Sequence, residues 1–152
     1  MKSALLLAAA LYCLAANSQA QTPTPTQSLA KAILKKDAPA AETLLTAGTS
    51  PNTVIEVVPG FATTYLITAV TNNSLDLAKL LLKYKAQVNR PDAFKGTALM
   101  TAVGKGNLAM VELLLASGAD ARAKDDDGKD ALALAKESGN AAIITLLEAK
   151  LK

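Results

Sequence analysis

The sequence predicts an all-α solenoid, four helix-turn-helix units stacked side by side with finger loops between them. Three observations lead there. Ala and Leu dominate the chain and favour helix over strand. The 152 residues repeat themselves at an interval of 33. Each copy holds a helix-capping residue followed by apolar residues at helical spacing. A chain of this length allows one modest domain.

The first twenty residues stand outside this pattern. Lys2 gives a positive start, Ala4 to Ala16 is an apolar run, and Ser18 and Ala20 are the small residues expected before a cleavage point. The run is too short for an ordinary membrane span. Residues 1–20 therefore read as a secretory signal cleaved after Ala20, of bacterial Sec type because no twin-Arg pair is present. Cys13 follows Tyr12, where a lipidation site needs a small residue, so a lipid anchor is not expected. The destination is the periplasm or the medium. Cys13 is the only cysteine, so the mature chain relies on packing without disulfides even in an oxidising compartment. Residues 21–27 alternate Thr and Pro and read as an extended tether, with the folded part, 28–152, starting near Ser28.

The repeat emerges by subtraction. Leu99 and Leu132, Ala102 and Ala135, Gly106 and Gly139, Asn107 and Asn140, and Leu114 and Leu147 all differ by 33. One step back, Leu66, Ala69, Ser74, Leu80, Leu81, Ala86 and Asn89 fall into register. A further step of 37 reaches Leu29, Ala32, Asp37, Leu44, Gly48 and Asn52, so the first inter-unit loop carries a four-residue insertion. The units run at about 28–58, 61–92, 94–125 and 127–152.

Within a unit, a short first helix ends near a Gly-containing turn, as from Thr97 to about Gly104. The second helix starts behind Asp37, Ser74, Asn107 or Asn140, whose side chains are expected to satisfy orphan amides. Pro39 lies harmlessly in a first turn. Leu108, Val111, Leu114 and Leu115 form one apolar stripe. Gly48 and Gly118 sit where a helix stops with a left-handed residue, a place taken by Lys85 in the second unit.

The stretch GTALMTAVGKGNLAMVELLLASGADARAKDDDGKDALALAKESGN resembles ankyrin repeats, through its period, Leu-Leu pairs, Gly-Ala-Asp and Gly-Asn steps. The resemblance covers Ser28 to Lys152. The family's T-P-L-H box is here Thr64-Tyr65-Leu66-Ile67, Thr97-Ala98-Leu99-Met100 and Asp130-Ala131-Leu132-Ala133, without its Pro or His. Since the family's His braces turns between neighbours, looser finger loops are implied. The first unit lacks the box and begins like an N-terminal capping repeat.

Catalysis would have to proceed without familiar parts. The chain has no His, so neither a Ser-His-Asp triad nor a Cys-His pair exists, and soft metal ligands are missing. Asp125-Asp126-Asp127 with Asp130 resembles part of a calcium loop but has no closing glutamate, and aspartates suit a solvated turn. Gly104-x-Gly106 lacks the preceding strand of a phosphate loop. Asn72-Asn73-Ser74 fits a glycosylation sequon, yet reads more simply as the junction of two helices; Met100 and Met110 fit packing. The net charge of +3 falls to +2 without Lys2, and aromatics are few, so neither nucleic acid nor an anionic membrane is an expected partner. No cofactor and no metal are expected.

What remains is recognition on a preformed scaffold. The resemblance places contacts on finger loops and the exposed side of each first helix. In this chain those are Asn89 to Lys95, Arg122 to Lys129, and Tyr65, Ile67, Met100 and Lys105, with Arg90, Phe94, Arg122, Lys124 and Asp126 as candidate anchors. The longest finger alternates around a Pro-Gly turn and suggests a β-hairpin-like arm holding Val54, Ile55, Val57, Val58 and Phe61, either folded back on the first two units or offered to a partner. The expected function is a non-catalytic, monomeric protein-binding module of the bacterial periplasm, binding a partner protein. The resemblance implies scaffolding or protection, including oxidative-stress defence. Alternatives are an immunity protein that occludes a toxin's active site, and a divalent-ion-dependent hydrolase using Asp125, Asp127 and Asp130.

Overall fold

The computed structural model describes residues 22–152, so the proposed leader lies outside the described residues. The first element is α1 (Pro25–Leu34). Thr24 Oγ1 accepts from the Gln27 amide at 3.2 Å while Gln27 Oε1 accepts from the Thr24 amide at 3.0 Å. This reciprocal cap, with Pro25 at the first helical position, starts a helix inside the segment that the sequence reading assigned to a tether. Proline is excluded from a helix interior, not from its first turn.

The chain continues through α2 (Ala38–Thr46), β1 (Val54–Val58), β2 (Phe61–Thr64), α3 (Tyr65–Thr71), α4 (Leu75–Lys83), α5 (Ala98–Gly104), α6 (Leu108–Ala116), α7 (Ala131–Ser138) and α8 (Ala141–Leu151). Four helix pairs result, as the period requires. The inner helices α1, α3, α5 and α7 pack in a row, α2 lies against α4, and α6 lies against α8. One continuous core runs through all four units, from Leu29 and Ile33 through Leu66, Leu81, Leu99 and Leu114 to Leu147. Leu81, Leu114 and Leu147 are fully buried, whereas in α2 the counterpart Leu44 is only half-buried and Leu45 is the leucine that lies inside. Leu108 departs from the expected stripe. It stands at the first position of α6 and is exposed, and Met110 joins Val111 and Leu114 inside instead.

Two turns recur in register. Between the helices of each pair stands a residue at positive φ: Lys36 (58°), Asn73 (56°), Gly106 (66°) and Gly139 (69°). After the second helix the same conformation returns at Gly48 (93°), Lys85 (69°) and Gly118 (89°). Glycine adopts it freely, whereas lysine is strained there.

The caps follow a geometric rule. Asp37, Asn107 and Asn140 accept from the amide three residues ahead at 3.0, 3.0 and 3.2 Å, with ψ of 86°, 94° and 95°. Ser74 holds the equivalent backbone, ψ 92°, yet makes no side-chain cap, contrary to the sequence expectation. Its oxygen is one bond closer to the chain than an Asx oxygen. Hydroxyl caps do form at Thr64 and Thr97, where ψ is 158° and 165°. At α4, Asp76 in the first turn supplies the complementary negative charge.

An amide ladder ties unit to unit. Asn52 accepts from the Gln87 amide at 2.7 Å and donates to Lys85 O at 3.1 Å. Asn89 repeats this on Asp120 at 2.8 Å and Gly118 at 3.1 Å. Tyr65 ties α3 to α1, its buried hydroxyl donating to Thr26 O at 2.8 Å. The fingers lack the family's His but carry an aspartate turn of their own. Asp92 Oδ1 accepts from the Phe94 and Gly96 amides at 2.9 and 2.8 Å, and Asp125 Oδ1 accepts from the Lys129 amide at 2.9 Å.

Replacing Lys85 by Gly should raise the unfolding free energy by about 0.5–1 kcal/mol through relief of left-handed strain, read as a higher urea midpoint at unchanged slope. Tyr65→Phe should lower it by about 1 kcal/mol. Burial pushes the Tyr65 phenol above its ordinary value of 10.0, so its contribution is intact below that value and is lost as pH rises through the raised one. Thermal melts across alkaline pH should therefore show a flatter decline for Tyr65→Phe than for the native chain.

Candidate functional site

The row of inner helices and the fingers enclose a cleft of about 320 Å³, lined by Leu34, Phe61, Thr63, Ile67, Thr68, Thr71, Asn72, Asp92 and Thr101. Its floor comes from α1, α3 and α5, and its wall from β2 and the next finger. Leu34 ends α1 and is 52% exposed. Three of the four lining threonines, all but Thr63, spend their hydroxyl protons on main-chain oxygens. Thr68 donates to Thr64 O at 2.9 Å, Thr71 to Ile67 O at 2.9 Å and Thr101 to Thr97 O at 3.1 Å. With those protons used on their own helices, the floor offers apolar surface and oxygen lone pairs. Asp92 is the one charged side chain among the lining residues, and it is held by its two amide bonds.

Phe61 lines the cleft, and Phe94, outside that lining, meets it with ring centroids 5.3 Å apart and planes tilted by 43°. Phe61 is half-buried, whereas Phe94 is 60% exposed. The hairpin divides the two readings offered for it. Ile55 packs against the core, while Val54 and Val58 are 40% and 56% exposed. Val57 lies in β1.

Three residues expected at the surface are inside. Tyr65 opens α3 directly behind its cap and points back at the first unit. Met100 is buried at the third position of α5, its sulfur accepting from the Thr97 amide at 3.4 Å. Ile67 is buried beneath the cleft floor. A first helix of seven residues is covered on most sides by its neighbours, which leaves little of it to offer a partner. Packing, the reading given to both Met100 and Met110, is what these side chains do.

Other candidates are braces. Arg90 is half-buried and donates to Asn52 O at 3.0 Å and to Gln87 Oε1 at 3.4 Å. Arg122 is exposed but donates to Leu151 O at 3.0 Å. Asp126 pairs with Lys95 at 3.0 Å, and its amide donates to Phe94 O at 3.1 Å. Lys124 and Lys105 are exposed. Asp125 closes its own turn, and among the described residues no three Asp, Glu, His or Cys side chains are grouped to hold a metal ion. Asn72 caps α3 and donates to Ile33 O at 3.4 Å, the junction role its sequence suggested.

Sequence reasoning missed Leu34, Thr63, Thr68, Thr71 and Thr101, whereas Asp92 lies in the finger Asn89 to Lys95 that it singled out. The signal was partly there: Thr68 and Thr101 are 33 apart on inner helices, as are Asp92 and Asp125 in the fingers. Leu34 has no such counterpart and is placed only by the end of α1.

Comparison with curated proteins yields no match. The family model described as ankyrin repeats (3 copies) matches residues 28–125 and 66–151. Those matches together span nearly all of the described chain, and the chain belongs to the ankyrin repeat family, whose repeats are in general protein–protein interaction modules.

Proposed function

We propose that this chain is a non-catalytic binding module of the bacterial periplasm that grips a partner protein in the cleft between inner helices and fingers. The observation that carries the reading is the cleft itself. Its lining is four threonines, the aliphatic side chains of Leu34 and Ile67, and Phe61, with one amide, Asn72, and one carboxylate, Asp92, each already bonded to main chain. Such a surface recognises by shape and by exclusion of water, with Leu34 as the exposed anchor within it and Phe94, against Phe61, as an exposed anchor beside it. It holds no nucleophile–base pair that would transform what it binds. Export rests on the leader, with Lys2, the apolar run from Ala4 to Ala16, and Ala20 before the cleavage point. A fold that closes its core without disulfides suits a mature chain free of cysteine.

Two measurements test this. Mass spectrometry of the protein recovered from the periplasmic fraction should find a chain beginning at Gln21; an unprocessed cytoplasmic chain would remove the location. Leu34→Asp combined with Phe94→Asp should weaken binding to the partner captured from periplasmic extract about tenfold or more, with the helical spectrum unchanged. Glu112→Lys, on an exposed site of α6, should leave capture intact. Equal capture by both variants would exclude the cleft.

A further inference from the structure

The fingers form a row joined by main-chain hydrogen bonds. The Ala93 amide donates to Ala62 O in β2 at 2.9 Å, and the Asp126 amide donates to Phe94 O at 3.1 Å. At the start of the row stands the hairpin, a two-stranded sheet of order β1–β2. β2 is covered by the next finger. β1 is the terminal edge, since α1 and α2 are joined by a tight turn and the first unit has no finger before it. Among the described residues, no hydrogen bond reaches Val54 to Val58 from outside the hairpin. The four-residue insertion makes this finger long enough to be a true strand, with an edge that the shorter fingers do not have.

We propose that the free edge of β1 takes up an extended segment of a partner polypeptide as a third strand, with a Lys or Arg of that segment opposite Glu56. The inference rests on reading the chain as a protein-binding module, and it adds a second contact surface with its own chemistry. An unpaired strand edge presents alternating amide donors and carbonyl acceptors, and only another extended backbone matches that array. Glu56 is exposed in mid-strand and makes no ion pair among the described residues, so a cation on the added strand gains the cross-strand partner. Val54 and Val58 flank it and supply apolar contacts on either side.

A second copy of this chain fits poorly. Two β1 strands paired about their common centre place Glu56 opposite Glu56, and like charges directly opposed destabilise a ladder. The register irregularity between Glu56 and Val58 also twists the tip, a device that discourages edge-to-edge self-association. The chain's own approach to α1, with Pro23 and Pro25 around Thr24, lacks amide donors at alternate positions.

The test uses the full chain and capped synthetic peptides. The peptide Thr-Val-Lys-Val-Thr should shift the amide resonances of Val54 to Val58 and bind about fivefold more tightly than Thr-Val-Glu-Val-Thr. Glu56→Lys should invert that preference. N-methylation of alternate amides in the lysine peptide should weaken binding about tenfold. The proposal is overturned if neither peptide moves the β1 resonances, if the N-methylated peptide binds equally well, or if preference survives Glu56→Lys. It is also overturned if β1 amides in the free chain are already protected from exchange, whether by dimerisation seen in sedimentation or by the chain's own N-terminal segment. The Leu34→Asp, Phe94→Asp variant should keep peptide binding. Failure of the strand proposal would thus leave the cleft untouched, and failure of the cleft would leave the strand.

Discussion

No helix pair in this protein can bury its own apolar face. Among the described residues the helices are seven to eleven residues long, too short to persist alone in water. Each pair has an apolar side that only the next pair can cover, and the core is accordingly a single ribbon from Leu29 to Leu147 rather than four separate nuclei. That dependence on neighbours governs the rest. It demands equal spacing between units, which the backbone supports by placing a left-handed residue between the helices of all four pairs and after the second helix of the first three. It also demands that polar edges be satisfied across every junction, which Asn52, Asn89 and Arg122 do by bonding to main chain one unit further on.

The cleft is a consequence of this regularity. Inner helices in a row bring Thr68 and Thr101 to corresponding places, and their hydroxyls are spent on their own backbone. What faces the cleft is then less polar than the composition suggests. The fingers add a wall whose shape is set by aspartate turns. An Asp92 oxygen would lie 3.0 Å from a Cβ at position 96, so a larger residue there would have to push the carboxylate back by about a few tenths of an ångström, and Gly96 lets the turn close around it without that shift. Phe61 and Phe94 meet across two fingers, a contact made between units rather than inside either of them.

The hairpin breaks the repetition. Four extra residues lengthen one loop into paired strands, one side of which packs inward through Ile55. Its other features, Val54, Glu56 and Val58, face solvent at the open end of the finger row. A binding module built of equivalent units thereby acquires one position unlike the others. Specificity in a repeat protein depends on such departures, because identical units present identical surfaces.

Periodicity by itself determined the number of units, the order of helices and the left-handed stops at Gly48 and Gly118, because stacking imposes the same local needs on every copy and those needs are written at a fixed interval. The hairpin was legible instead in the alternation around its Pro-Gly turn. The helix at Pro25 was obscured by a Thr/Pro composition that is hostile to helix in general but permitted in a first turn. The tertiary structure alone decided which side chains face outward. Tyr65, Ile67 and Met100 have the types and positions of surface anchors, yet a short inner helix is enclosed by its neighbours and turns all three inward. Arg90 and Arg122 look like free cations in the sequence and are held by carbonyls 38 and 29 residues away. Leu34 and the threonines became a cleft only when three helices from separate units were set side by side. A residue's neighbours within its unit follow from spacing, whereas its exposure depends on the units above and below, and that is a property of the stack.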